Sequence, residues 1–275
     1  GHIVPALLAG NAVVFKPSEK TPASGLYLAE LWREAGVPAE VLQVVIGGAE
    51  IAQALVAHPE TDGVFFTGGV GAGRAIHMAL ADQPQKIVAL ELGGNNPLIA
   101  WDVADVQSAA HLIVQSAYVS AGQRCSCARR LIVPQGAEGE RIIEVLAALI
   151  DKIKVGAPFD DPQPFMGPVI DMASARGLLR AQGRLGGRAI RELKPMEPDR
   201  PYLTPGLIDV TGVEVPDQEN FGPLLQVIRA PDWEAAITAA NATRFGLAAG
   251  LLSDDETLYR RFWAGVRAGI VNWNR

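Results

Sequence analysis

The chain has 275 residues, 49% of them hydrophobic and 20% charged, with a formal net charge of -6 and a pI near 5.3. That is the profile of a soluble globular protein, one large domain or two ordinary ones, with a substantial core. The acidity excludes nucleic-acid and anionic-membrane partners, which want a basic field. Two cysteines are too few for a disulfide scaffold and fit a reducing, cytoplasmic setting. No apolar run reaches the roughly 18 residues that a membrane span needs. The start, Gly1-His2-Ile3-Val4-Pro5, has no signal-peptide layout and reads as the middle of an element, and Gly269 to Arg275 stops as a strand finishes. A segment of a longer protein is expected.

In chain order, Ala12 to Phe15 is a buried strand closed by Lys16-Pro17-Ser18-Glu19. Thr21-Pro22-Ala23-Ser24 opens a helix that Gly36 stops. Val41 to Ile46 is a strand, Ile51 to His58 a helix, and Gly63 to Thr67 a strand leading into Gly68-Gly69-Val70-Gly71-Ala72-Gly73. Arg74 to Ala81 is a helix and Lys86 to Leu90 a strand. Strands and helices alternating at this spacing predict a parallel, doubly wound α/β sheet, with its ligand past the carboxyl ends of the strands. The loops Lys16 to Glu19 and Gly68 to Gly73 both fall there.

The glycine loop lacks the Lys-Ser/Thr of a P-loop, since Arg74-Ala75 follow, and lacks the third glycine of the dinucleotide fingerprint. Its glycines still let backbone N–H groups and a helix start approach a pyrophosphate, and a tight strand-to-helix turn fits equally. Lys16 with Glu19 suits the ribose hydroxyls of an adenosine, and also fits a solvated surface pair.

After Glu91-Leu92-Gly93-Gly94-Asn95-Asn96-Pro97 the pattern restarts, which places a domain boundary between residues 1–92 and 93–275. Strands are expected at Leu98 to Ala100, Leu131 to Val133, Leu207 to Val210, Leu224 to Ile228, Leu247 to Leu252 and Ile270 to Asn272. Helices are expected at Asp105 to Val119, Glu140 to Lys154, Ala173 to Leu185, Trp233 to Asn241 and Thr257 to Val266, with Gly186 to Pro205 irregular.

Both cysteines lie in Ser120-Ala121-Gly122-Gln123-Arg124-Cys125-Ser126-Cys127-Ala128-Arg129, between a helix and a strand. At such a junction backbone N–H groups and a guanidinium favour the thiolate, the form that attacks a carbonyl carbon. A small buried residue is the other reading of a cysteine there. The stretch holds too few ligands for a metal site. Glu91, at a strand's carboxyl end before a double glycine, either caps a turn or faces a cleft as a general base.

Taken together, Phe15 to Glu19, Phe66 to Gly73, Leu90 to Gly94, Gly122 to Cys125 and Glu219-Asn220-Phe221-Gly222-Pro223 resemble the NAD(P)-dependent aldehyde dehydrogenase superfamily along essentially the whole chain. Within it, Gly93 to Leu98, Cys125 to Arg130 and Ala268 to Asn274 are similar to the branch that oxidises the 5-semialdehyde of N-succinylglutamate in bacterial arginine breakdown. The resemblance implies two lobes, each with a parallel doubly wound sheet flanked by helices. Residues 1–92 are then the C-terminal part of an NAD-binding domain, and 93–275 a catalytic domain incomplete at its C-terminus.

It also implies the site. Cys125 is the nucleophile, forming a thiohemiacetal and, after hydride transfer, a thioester, and Glu91 activates the hydrolytic water. Lys16 and Glu19 meet the adenosine ribose, Glu19 favouring NAD over NADP by repelling a 2′-phosphate. Gly68, Gly69, Val70, Gly71, Ala72 and Gly73 hold the pyrophosphate, and Glu219 and Phe221 the nicotinamide ribose. The partner is a small-molecule aldehyde, and the whole protein is a homo-oligomer. The family's upstream oxyanion asparagine has no counterpart here, so these 275 residues alone are expected to be inactive or nearly so. Arg124, Arg129 and Arg130 are candidates for drawing in a dianionic aldehyde, or are structural. Rival readings are another semialdehyde dehydrogenase of the superfamily, an acyl-phosphate reductase, against which Glu91 and Glu19 speak, and a non-catalytic nucleotide-binding module.

Overall fold

Short, half-exposed strands shape the first of two units, Gly1–Leu92, in a computed structural model that describes residues 1–275. Its elements are α1 (Ile3–Leu8), β1 (Val13–Phe15), α2 (Pro22–Glu34), β2 (Leu42–Val44), α3 (Ala49–Ala57), β3 (Gly63–Thr67), α4 (Val70–Ala79) and β4 (Ile87–Glu91). Pro22 opens α2, where its fixed φ suits the first turn and its missing N–H costs nothing. Lys86 is buried, and its Nζ donates to the carbonyls of Val56 and His58 at 3.4 and 2.8 Å, closing the C-terminal end of α3.

The strands pair in parallel as β1 with β2 and β3 with β4, giving two separate two-stranded sheets and not the single sheet expected for this lobe. β1 and β2 alternate between half-buried and exposed positions, and neither offers the continuous buried run of a central parallel strand. A second correction concerns the glycine loop. Only Gly68 and Gly69 precede α4, and the Gly73 N–H to Gly69 carbonyl bond closes its first turn. Gly71, Ala72 and Gly73 are therefore helical, despite the poor helix propensity of glycine.

In the second unit, Gly93–Arg275, seven strands form one sheet in the order β11-β10-β5-β6-β9-β8-β7. The strands are β5 (Asn96–Ala100), β6 (Ala128–Pro134), β7 (Arg188–Arg191), β8 (Gly206–Asp209), β9 (Leu224–Ala230), β10 (Ala248–Leu252) and β11 (Ile270–Trp273). All neighbours run parallel except β7, which is antiparallel to β8, so the expected wholly parallel sheet is mixed. The stretch expected to be irregular supplies β7. Between β7 and β8 an antiparallel bridge joins Pro195 to Leu203, so the chain doubles back as a hairpin instead of crossing over.

The central strands β5 and β6 are buried along their whole length. Their alternation assigns each residue to a face: Leu131 and Val133 pack with α5 (Val106–Tyr118), α6 (Ala137–Ile150) and α7 (Met172–Leu185), while Ile132 packs with α8 (Trp233–Asn241) and α9 (Glu256–Gly265). Aspartates at 105, 171, 232 and 255 cap α5, α7, α8 and α9 by accepting from a backbone N–H of the first turn. No helix is long and apolar enough to cross a membrane.

Burial is lopsided between the units. In residues 1–92 the only buried apolar side chains larger than alanine are Pro17, Val56 and Leu80, whereas Leu131, Ile132 and Val133 of β6 are each 0% exposed. Leu131→Ala is expected to cost about 2–5 kcal/mol, and Met78→Ala, at an exposed position, no more than about 0.5 kcal/mol. Urea denaturation of the intact protein distinguishes the two outcomes.

Candidate functional site

In the first unit the expected residues gather at the carboxyl ends of short strands. Lys16 follows β1, and its Nζ donates to the carbonyls of Pro17 and Gly47 at 2.6 and 3.0 Å and lies 4.0 Å from Glu19 Oε2. The Glu19 side chain is 61% exposed. Gly69 caps α4, and nothing lies within 4 Å of where a Cβ would stand on Gly69 or Gly71. Open space over free helix-start N–H groups fits a phosphate. Glu91 ends β4 opposite Thr67 of β3, and its carbonyl accepts from the Gly68 N–H at 3.0 Å. Glu91 and the glycine turn thus adjoin, with the Glu91 side chain on the exposed side of the strand.

In the second unit the site sits at the opposite edge of the sheet, before the amino ends of β5, β6 and β9. Parallel pairing sets Asn96 beside Ala128, and Arg130 beside Gln226, so the segments leading into these strands lie along one edge. Cys125 is in that edge and partly exposed, while Cys127 is buried. The turn before them contains two left-handed residues other than glycine, Ser120 at φ 57° and Ala121 at φ 53°. Such conformations cost on the order of 1–3 kcal/mol each and persist where the surroundings impose them.

Asn96 holds the cysteine loop. Its Nδ2 donates to the carbonyls of Cys125 and Cys127 at 2.7 and 2.9 Å, and its Oδ1 accepts from the Ala248 N–H at 3.2 Å. Gln123 ties the same loop sideways, donating to the Phe221 carbonyl at 3.3 Å and accepting from the Ile170 N–H at 2.9 Å. Neither residue was legible as functional from the sequence. The signal present was an asparagine directly before a proline at a strand start, a place where a side chain serves backbone groups.

Arg129 joins the cysteine loop to Glu219-Asn220-Phe221-Gly222-Pro223. Its side chain is wholly buried. It donates to the Arg124 carbonyl at 2.9 Å and the Gly222 carbonyl at 3.2 Å, and its guanidinium lies 5.5 Å from the Phe221 ring centroid. Nε has no partner. Burial pulls the Arg129 pKa down, and Cys127, Glu219 and Cys125 oppose that pull. Glu219 in turn accepts from the Gly94 N–H at 3.2 Å, and its carboxylate approaches so closely that a Cβ on Gly93 would meet Oε2 at 1.8 Å. A side chain at residue 93 would displace the carboxylate from its present place. Burial holds the Glu219 carboxyl above its ordinary value of 4.5 in spite of the Gly94 N–H and Arg129.

Cys125, Glu219 and Phe221 are therefore brought together within this unit, through one buried cation. The chain presents a partly exposed thiol whose carbonyl is held by Asn96, near the same buried guanidinium that neighbours a hydrogen-bonded carboxylate and an aromatic ring. Arg130 does not reach this opening: it donates to Asn95, Ala239 and Ala240 carbonyls at 2.9, 2.6 and 2.9 Å, and burial pulls its pKa to about 10 against the attraction of Asp217.

Comparison with known proteins adds to this geometry. The aldehyde dehydrogenase family matches residues 1–275. N-succinylglutamate 5-semialdehyde dehydrogenase 1 of Caulobacter vibrioides is 65% identical over all of this chain, which covers 59% of that protein. An Escherichia coli NADP-dependent enzyme superposes with a TM-score of 0.92 at 35% identity, over 99% of this chain and 57% of that one. 1-Pyrroline-5-carboxylate dehydrogenase from Thermus with bound NAD gives 0.91 at 31% identity, over 99% and 54% of the two chains.

Two outcomes test the site. Asn96→Ala leaves two buried carbonyls and one N–H without partners, so a loss of about 2–4 kcal/mol is expected in chemical denaturation, with faster, unselective alkylation of Cys125 and Cys127. Because the folded Glu219 pKa is raised, its contribution to stability is complete below the ordinary carboxylate value and is lost as pH rises through the raised one. Against Glu219→Gln, wild type is therefore expected to lose denaturation midpoint as pH climbs from the ordinary glutamate value through the raised one.

Proposed function

From the aldehyde dehydrogenase family, to which this chain belongs along residues 1–275, we propose that the whole protein is an NAD-dependent oxidoreductase that converts N-succinylglutamate 5-semialdehyde to the carboxylic acid, in arginine catabolism. The chain spans 59% of the curated relative that shares 65% of its residues, and that relative's name is the support for the substrate. The observation that carries the chemistry is Cys125, partly exposed at the sheet edge with its carbonyl gripped by Asn96.

Sulfur adds to a carbonyl carbon near neutral pH without a strong base. Cys125 Sγ forms the C–S bond, and the carbonyl oxygen takes up negative charge that N–H donors stabilise. Bound nicotinamide supplies the two-electron acceptor for this adduct. The resulting thioester on Cys125 is cleaved by water, whose proton Glu91 accepts, releasing the acid and the thiol. Lys16, Glu19 and the segment Gly68 to Gly73 hold the adenosine and phosphate end of the cofactor, and Glu219 with Phe221 the nicotinamide ribose. The open cradle over Gly69 and Gly71 fits that assignment, as does the NAD bound to the Thermus relative. The exposed Glu19 carboxylate favours NAD, because a 2′-phosphate would meet like charge.

In the intact protein, Cys125→Ser is expected to lower kcat/KM for the semialdehyde by at least ~10³-fold, as removal of a nucleophile does elsewhere. Glu91→Gln is expected to lower kcat by about 10²–10⁴-fold, the usual worth of a general base. It should also leave a protein-bound acyl group detectable by mass spectrometry. Turnover of Cys125→Ser at the wild-type rate, or a preference for NADP over NAD in steady-state kinetics, contradicts the reading.

A further inference from the structure

Arg124, Arg129 and Arg130 surround the cysteine loop in sequence, and the structure divides them sharply. Arg129 and Arg130 are buried, with their guanidinium groups committed to backbone carbonyls of Arg124, Gly222, Asn95, Ala239 and Ala240. Arg124 is exposed, and its one side-chain bond runs from Nε to Ser120 Oγ at 3.1 Å. Both terminal nitrogens are left without a protein partner. That leaves the Nη1–Nη2 edge of the guanidinium, the end-on fork that takes a carboxylate with two parallel hydrogen bonds. The bond ties the fork to Ser120, which belongs to the left-handed pair Ser120–Ala121, and Ala121 is only 2% exposed. A rigid, strained turn and a half-committed arginine stand directly before Cys125, with neighbouring Cα atoms about 3.8 Å apart.

We propose that Arg124, oriented by Ser120, is a specificity-determining residue that receives a carboxylate of the aldehyde substrate, a few carbons from the carbon that Cys125 attacks. This rests on Cys125 being the nucleophile. Arg129 Nη2 holds the Arg124 carbonyl at 2.9 Å, so the backbone from which the fork projects is itself fixed. The substrate class that follows is a semialdehyde bearing at least one carboxylate. A neutral aldehyde gains nothing from the fork.

The test compares wild type, Arg124→Gln, Arg124→Lys and Ser120→Ala of the intact protein on N-succinylglutamate 5-semialdehyde and on butanal. The ratio of kcat/KM for the carboxylated over the neutral aldehyde is expected to fall about 10- to 100-fold in Arg124→Gln, the scale of a lost charged hydrogen bond. The fall should come mainly through KM. Arg124→Lys is expected to recover part of the ratio, keeping the charge without the fork, and Ser120→Ala to lower it by a smaller factor. Equal losses on both aldehydes would mark Arg124 as structural and overturn the proposal, as would an unchanged ratio. The nucleophile reading fails separately, through Cys125→Ser retaining oxidation of either aldehyde, and the proposal then falls with it.

Discussion

The second unit depends on one amide. Asn96 begins a strand that is buried from end to end, so its side chain cannot reach water and must find partners within the protein. It finds three, the carbonyls of Cys125 and Cys127 and the N–H of Ala248. One side chain thereby binds the starts of β5, β6 and β10 into a single edge and sets where the thiol stands. A loop held only by its own turn would leave Cys125 mobile. Held by two of its carbonyls, it presents the sulfur from a frame as rigid as the sheet.

The same edge explains the left-handed turn. Gly122 has φ 65°, and a Cβ there would lie 2.3 Å from the Gly222 carbonyl, which also accepts from Arg129. Two loops approach each other at backbone contact and leave no room for a relaxed path between α5 and β6. Ser120 and Ala121 absorb the bend in conformations that non-glycine residues avoid. Buried bonds around them outweigh the local strain.

Much of this was readable in advance, for reasons that differ by element. Long, fully apolar strands and amphipathic helices announced themselves through periodicity, and Gly63–Thr67 and Trp233–Asn241 match the expected bounds residue for residue. β7 escaped because Arg188-Ala189-Ile190-Arg191 is an edge strand with little buried surface and hence little pattern. The helical start at Val70 escaped because glycine reads as loop, while the Gly73–Gly69 bond and the burial of Gly73 favour helix. At the site, residues with intrinsic chemistry, a thiol and a carboxylate, stood out in the sequence. Asn96 and Gln123 did not, because their importance lies in backbone groups far along the chain that only the fold brings near. The three arginines were indistinguishable by type, and burial alone separates them.

That separation follows from the polarity of a parallel sheet. Each helix that crosses back between parallel strands ends near the amino edge of the next strand, so this edge collects helix C-termini and their unpaired carbonyls, a region of negative potential. An anionic thiolate or a carboxylated substrate is unfavourable there unless cations compensate. Arg130 caps the last turn of α8 through Ala239 and Ala240, and Arg129 takes the carbonyls of the two loops. Burial works against both charges, and their persistence as ions is sustained by the carbonyl groups and by Asp217, Glu219 and the cysteines nearby. With two arginines neutralising the carbonyl-rich floor, a third can face outward with its charge unspent. The amino edge of this sheet thus carries its compensating positive charge on side chains, where the start of α4 in the first unit presents backbone N–H groups alone.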